Sequence, residues 1–267
     1  MSRDVERLHI ARIVRRMRPR SRTWLVQAED GRYFVAAFAT GTKDDRMLVN
    51  KWVSCRVLQR LGVTVPSTHL LALSSMHASL IDNTGYSTTL PHFGSEIPVD
   101  FDRETVFDFL PHTLLGQVAN LWDVTTALIV DHWLGCTKPS RTVFCRDGTR
   151  STDGGGENPK RPFRGYVIGS SFAFGGVSWE FAQGPSWKRG DNQLQCIDIE
   201  QSLRAVSCVD GLPAKSIKQT LEHVPTEWLL GRDRNLLSQL LDELVVRRGY
   251  VKRFMLERPW TRRRDFR

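Results

Sequence analysis

The sequence predicts an α+β chain, sheet-bearing over residues 1–95 and mainly helical over 96–267, where it ends in a basic tail. Three observations lead there. Residues 22–38 alternate around an Asp-Gly turn, apolar residues from Arg46 to Leu61 recur at helical spacing, and two further helical runs follow downstream.

In the first of these, Trp24-Leu25-Val26 and Tyr33-Phe34-Val35 flank Glu29-Asp30-Gly31-Arg32, an Asp-Gly signal for a hairpin. The helix after it carries Leu48, Val49, Trp52, Val53, Val57, Leu58 and Leu61 and stops at Gly62. Residues 67–95 read as strands and turns, with Asp82-Asn83-Thr84-Gly85 as the turn. Val118 to Leu134 reads as a largely buried helix, and Leu236 to Val246 as a helix with leucines on one face. Asp153-Gly154-Gly155-Gly156-Glu157-Asn158-Pro159 reads as a flexible loop. It lacks the Lys-Ser or Lys-Thr pair and the following helix that a phosphate cradle needs.

With 267 residues, 40% of them hydrophobic, eight tryptophans and thirteen phenylalanines, the chain can bury a substantial core. No apolar run approaches the ~18 residues of a membrane span, and Met1-Ser2-Arg3-Asp4 lacks the apolar stretch of a signal peptide. A cytoplasmic location is expected. The five cysteines, Cys55, Cys136, Cys145, Cys196 and Cys208, show no zinc spacing and no disulfide framework, so they read as reduced, buried thiols. Cys136, near Lys138, is the one whose pKa a neighbouring ammonium could lower. The histidines show no metal-ligand spacing, and the absence of Gly-x-Ser-x-Gly argues against an α/β-hydrolase. Net charge is +9, concentrated at Arg12, Arg15, Arg16, Arg18, Arg20 and Arg22 near the start and at Arg258, Arg262, Arg263, Arg264 and Arg267 at the finish. Such ends either form solvated basic tails or make weak nucleic-acid contacts.

Several segments also stand in a specific order. Arg32 to Phe38 is a strand followed by Leu48-Val49-Asn50-Lys51-Trp52 and by Leu61-Gly62-Val63-Thr64-Val65-Pro66. His92-Phe93-Gly94-Ser95 and Phe107-Asp108-Phe109-Leu110-Pro111 come next, then Asp131-His132-Trp133-Leu134-Gly135-Cys136-Thr137-Lys138, Ile168 to Trp179, and Pro225-Thr226-Glu227-Trp228 before a leucine-rich helix ending Arg247-Arg248. Over about residues 8–255 this order resembles the HipA-like kinase family, bacterial relatives of the protein kinases. The resemblance implies a bilobal protein-kinase-like fold, an ATP and Mg²⁺ site, and phosphate transfer to Ser or Thr.

The chemistry is missing at each position the resemblance assigns. Phosphoryl transfer needs cations on the phosphates, acids on Mg²⁺ and a carboxylate on the attacking hydroxyl. The phosphate-approaching loop, Gly-rich in the family, reads Pro19-Arg20-Ser21-Arg22; the strand lysine falls on Ala37 and its helix glutamate partner on Lys51. The catalytic-loop Asn and Asp fall on Cys136 and Lys138, and the metal-binding Asp falls on Gly169, so no metal ligand is expected. The leading expectation is a pseudokinase that binds an unknown protein partner or an anion in a cleft made positive by Arg20, Arg22, Lys51 and Lys138. A nucleotide held there would not need Mg²⁺. The alternatives are an active ATP-dependent Ser/Thr kinase with relocated residues and a nucleic-acid-binding module that uses its basic ends.

Overall fold

A computed structural model describes residues 7–17, 22–81, 85–98, 105–138, 140, 142–146, 163–181, 199–221 and 223–257. Arg20, Ser21, most of the 82–85 turn, the glycine-rich 153–159 stretch and the C-terminal arginines lie outside them.

The N-terminal part is a five-stranded barrel of β1 (Arg7–Arg16), β2 (Thr23–Ala28), β3 (Tyr33–Ala37), β4 (Thr68–Ala72) and β5 (His92–Ile97), in the order β1-β2-β3-β5-β4. Parallel pairing of Arg7, Leu8 and His9 with Leu70, Leu71 and Ala72 closes it. The expected hairpin is β2–β3, from Thr23↔Ala37 to Gln27↔Tyr33. At its turn Gly31 has φ 86°, and the Asp30 carboxylate accepts from the Arg32 backbone N–H at 3.0 Å. The barrel interior is filled by Ile10, Val26, Phe34, Ala36, Phe38 and Leu71.

Between β3 and β4 runs helix α1 (Arg46–Arg60). Its expected apolar face is buried, and so are three polar residues in mid-helix, Asn50, Lys51 and Ser54. The buried Asp45 carboxylate before it accepts from Thr40 N, Gly41 N and Thr40 Oγ1, which fixes the loop that feeds the helix. The 67–95 region also holds a short helix, α2 (Ser75–Leu80), capped by Ser74.

The C-terminal part carries α3 (Leu121–Trp133), α4 (Ile199–Gly211), α5 (Ala214–Lys218) and α6 (Asp233–Glu257), together with an antiparallel sheet of β6 (Thr105–Phe107), β7 (Thr142–Arg146) and β8 (Phe163–Val167). This sheet is an addition to the mainly helical expectation. Helix α3 begins later than Val118, which instead bridges Phe163, and the Asn120 side chain exchanges two hydrogen bonds with the Gly165 backbone. Helix α6 extends well beyond the predicted 236–246.

One large core unites α1 with α3, α4 and α6. Trp228 is fully buried in it, donating its indole N–H to Pro91 O at 2.7 Å and meeting Trp52 edge-on at 5.8 Å. Arg46, at the start of α1, pairs with Asp233, at the start of α6, at 2.5 Å with side chains only 9% and 5% exposed. Its guanidinium also donates to Val177 O and lies 4.5 Å over the Trp179 ring. Truncating one partner of a buried pair leaves the other charge unanswered. Arg46→Met is therefore expected to lower stability by about 3–5 kcal/mol in urea unfolding, and Arg46→Met/Asp233→Leu to recover most of that loss.

Candidate functional site

Of the positions singled out in the sequence, the described ones, Arg22, Ala37, Lys51, Cys136, Lys138 and Gly169, lie around the junction of α1, the barrel and the segment after β8. Ala37 lies in β3 opposite Thr23 on one side and Phe93 on the other. Lys51 reaches the same Phe93 from α1, with Nζ 5.4 Å from the ring centroid and 3.5 Å from Ile168 O, to which it donates. Both positions meet Phe93, and the cation of the two is on the helix and is buried.

The segment after β8 presses against α1. Gly169 has φ 68°, and a Cβ there would stand 2.7 Å from Ser54 Oγ and 2.8 Å from both Cys55 Sγ and Lys51 O. No side chain fits without displacing the helix. Ser54 Oγ accepts from Ser170 N at 2.9 Å and donates to Lys51 O at 3.0 Å, so the contact is also hydrogen-bonded.

Asn50, which the sequence reading passed over as the neighbour of Lys51, organises the rest. Its amide donates to Ser171 O, Ala173 O and Gly176 O at 2.9–3.1 Å, and its Oδ1 accepts from Trp179 Nε1 at 2.8 Å. Phe174 and Trp179, both with φ 56°, are held in the left-handed region by these bonds and by burial. The available signal was an asparagine at a core-facing position of a predicted helix, paired with the tryptophan downstream.

The loop after α3 is tied to the same segment by backbone bonds: Thr137 N to Phe172 O, Phe174 N to Leu134 O and Gly175 N to Gly135 O. The fully buried Asp131 anchors its far side, accepting from Ser140 N, from Ser140 Oγ at 2.5 Å and from Cys136 Sγ at 3.4 Å. Burial pushes Asp131 up to about 7, against the opposing pull of the Ser140 and Cys136 hydrogen bonds. Cys136 is 2% exposed, and burial together with the Asp131 charge drives its thiol well above the usual range. The neighbouring Lys138 ammonium therefore does not lower this thiol's pKa, and the reading of Cys136 as a buried thiol holds. Lys138 is exposed, its ammonium 4.6 Å from the Phe172 ring centroid. Among the described cysteines, Cys55, Cys136 and Cys145 are buried and none is bridged.

Among the described residues, the cleft cations are engaged separately. Arg22 pairs with Asp44 at 2.5 Å in solvent, Lys51 faces Phe93 inside, and Lys138 lies over Phe172. A small pocket remains among Arg22, Thr23, Ala37, Asp44, Leu48 and Ser171, with an acid at its rim. Deeper in, Leu25, Val35 and Ile97 from the barrel pack against Val143, Tyr166 and Ile168 from the second sheet. With no room for a side chain at position 169 and, among the described residues, no group of three or more His, Cys, Asp or Glu that could hold a metal ion, the residues present do not fit Mg²⁺ there.

Two variants test this geometry. Asn50→Ala removes four hydrogen bonds, three of them buried, and is expected to lower stability by about 2–4 kcal/mol. Gly169→Asp, the change that would restore a metal ligand, meets both overpacking and a left-handed backbone, and is expected to destabilise by roughly 2–5 kcal/mol without creating a metal site. For Asp131, a folded-state pKa above the ordinary ~3.9 means a contribution present below that value and lost as pH rises through about 7. Asp131→Asn is expected to gain on the wild type by about 2–4 kcal/mol between pH 4 and pH 8 in paired urea titrations. His92, which burial lowers to about 4, loses its contribution as pH falls from its ordinary ~6.5 and drops out of the difference because both proteins carry it.

No protein-family model and no curated protein matches the sequence. Among solved structures, a Helicobacter pylori proinflammatory kinase, CtkA, matches with TM-score 0.50 and 11% identity over 92% of this chain and 97% of that one. At that identity the likeness concerns the fold alone: the chain has a kinase-like α+β fold whose small-lobe sheet closes into a barrel.

Proposed function

We propose that this chain is a pseudokinase of HipA-like type, a kinase-fold protein that works by binding a protein partner or an anion and transfers no phosphoryl group. The small lobe spans residues 1–95 and the helical lobe 96–267, with the passage between them near the end of β5. The observation that carries the reading is Gly169: where a metal-binding carboxylate would stand, the approach of Ser54, Cys55 and the Lys51 carbonyl leaves no room for one.

Three further features support it. Ala37 offers no ammonium to the phosphates, Lys138 offers no carboxylate to the attacking hydroxyl, and Asp44 lies beside Arg22 where a phosphate would have to compete with it. Phosphoryl transfer is positioning and electrostatics, so each loss removes several kcal/mol of barrier lowering, and every ~1.4 kcal/mol is about tenfold in rate. Arg20 and Ser21 belong to the same degenerate nucleotide site by sequence order.

Calorimetry with ATP, with and without Mg²⁺, run beside a radiolabelled autophosphorylation assay, tests the reading. No phosphate transfer is expected, and no saturable binding that depends on Mg²⁺. Metal-dependent binding together with label transfer would overturn it and return the chain to the active Ser/Thr kinases.

A further inference from the structure

Strand β1 is interrupted twice. Its partners on β2 run Ile10↔Ala28, Arg12↔Gln27, Ile13↔Val26, Arg15↔Leu25 and Arg16↔Trp24, so Ala11 and Val14 are extra residues. Ala28, Val26 and Trp24 share one face of β2, which places Ile10, Ile13 and Arg16 on that face; Gln27 and Leu25 share the other, which places Arg12 and Arg15 together. In a regular strand residues 12 and 15 would point to opposite sides. The bulge at Val14 re-aims Arg15 so that two exposed arginines stand in a row.

The surroundings are one-signed. From Arg7 to Arg22 the sequence holds seven arginines and no Asp or Glu. Arg12 donates to the Tyr33 hydroxyl at 3.4 Å, and Arg15 reaches Asp108, after β6, at 3.2 and 3.4 Å. The Arg7–Glu227, Arg15–Asp108 and Arg22–Asp44 pairs leave their arginines 36%, 41% and 55% exposed. The Arg7 and Arg22 pairs are open at both partners and therefore weak, while Asp108 is only 15% exposed and accepts from both terminal nitrogens of Arg15, so an anion at Arg15 has to compete with it.

Beyond His9, β4 no longer pairs with β1, so, among the described residues, 10–16 have a strand on one side only. An acidic peptide added as a strand would need a regular ladder along that edge, and two bulges in seven residues break it. A phosphate backbone needs no ladder. Guanidinium groups at one strand repeat, with Tyr33 beside them, suit phosphodiester oxygens. We propose that the Arg12–Arg15 face of β1 binds the phosphate backbone of nucleic acid, independently of base sequence.

Fluorescence anisotropy with the full chain and labelled single-stranded DNA, duplex DNA and single-stranded RNA tests this between about 50 and 200 mM salt. Binding is expected to weaken steeply with salt. Arg12→Gln/Arg15→Gln should lower affinity at least tenfold and flatten the slope of log K against log salt by roughly 1.5, while Arg12→Lys/Arg15→Lys keeps most of the binding. Asp108→Asn, which frees Arg15, should tighten it. Three results overturn the proposal: no binding at the low-salt end, a loss that follows Arg262→Gln/Arg263→Gln/Arg264→Gln and not the β1 change, or displacement of the probe by a polyglutamate peptide as effectively as by unlabelled nucleic acid. The last would assign the face to an acidic protein surface.

Discussion

Helix α1 lies so close to the segment after β8 that position 169 tolerates nothing larger than a hydrogen atom, and much of the molecule follows from that approach. The glycine lets Ser54 bond the Ser170 amide, which brings the Asn50 amide over the carbonyls of Ser171, Ala173 and Gly176. Those bonds force the left-handed turns at Phe174 and Trp179, and Trp179 in turn supplies the ring on which Arg46 rests while it pairs with Asp233. A single short contact is thereby propagated from the barrel side of α1 to the start of α6.

The consequence is rigidity where a switching protein needs two arrangements. Conformational switches depend on elements that pack in two ways of nearly equal free energy. Here the helix end is clamped twice, by Asn50 in its middle and by Arg46 at its start, and both clamps are buried. Each hydrogen bond is worth about 1 kcal/mol net, but leaving its partner unsatisfied in the interior is worth more, so a partial opening meets a steep penalty. A rigid scaffold is consistent with a role in binding, where preorganisation favours affinity.

The sequence made some of this legible. The β2–β3 hairpin was readable because Asp30-Gly31 is a local signal, and α1 because its apolar residues repeat at helical spacing. Strand β1 was not, because Ile10, Ile13 and Arg16 recur every third residue, a spacing that argues against a strand until two bulges are allowed. The absence of the strand lysine, its glutamate partner and the acids could be read from residue types alone. The closure at Gly169 could not, since it depends on how near Ser54 and Cys55 come, a tertiary distance with no local trace. How the cleft cations are engaged was equally unreadable: Arg22, Lys51 and Lys138 meet Asp44, Phe93 and Phe172 separately.

Buried polar groups show most directly what the fold is arranged to do. In a reactive cleft, such groups point at the place where a ligand's charge develops, and their hydrogen-bonding capacity is left for it. In this chain Asn50 turns its amide to backbone carbonyls, Asp131 turns both oxygens to Ser140 and Cys136, and Arg46 is divided between Asp233, a carbonyl and a ring. Asp131 goes furthest: a carboxylate fully removed from water, raised to about 7, whose described contacts all lie on its own loop. Groups already satisfied by the chain itself stabilise a shape and have little left to offer a substrate.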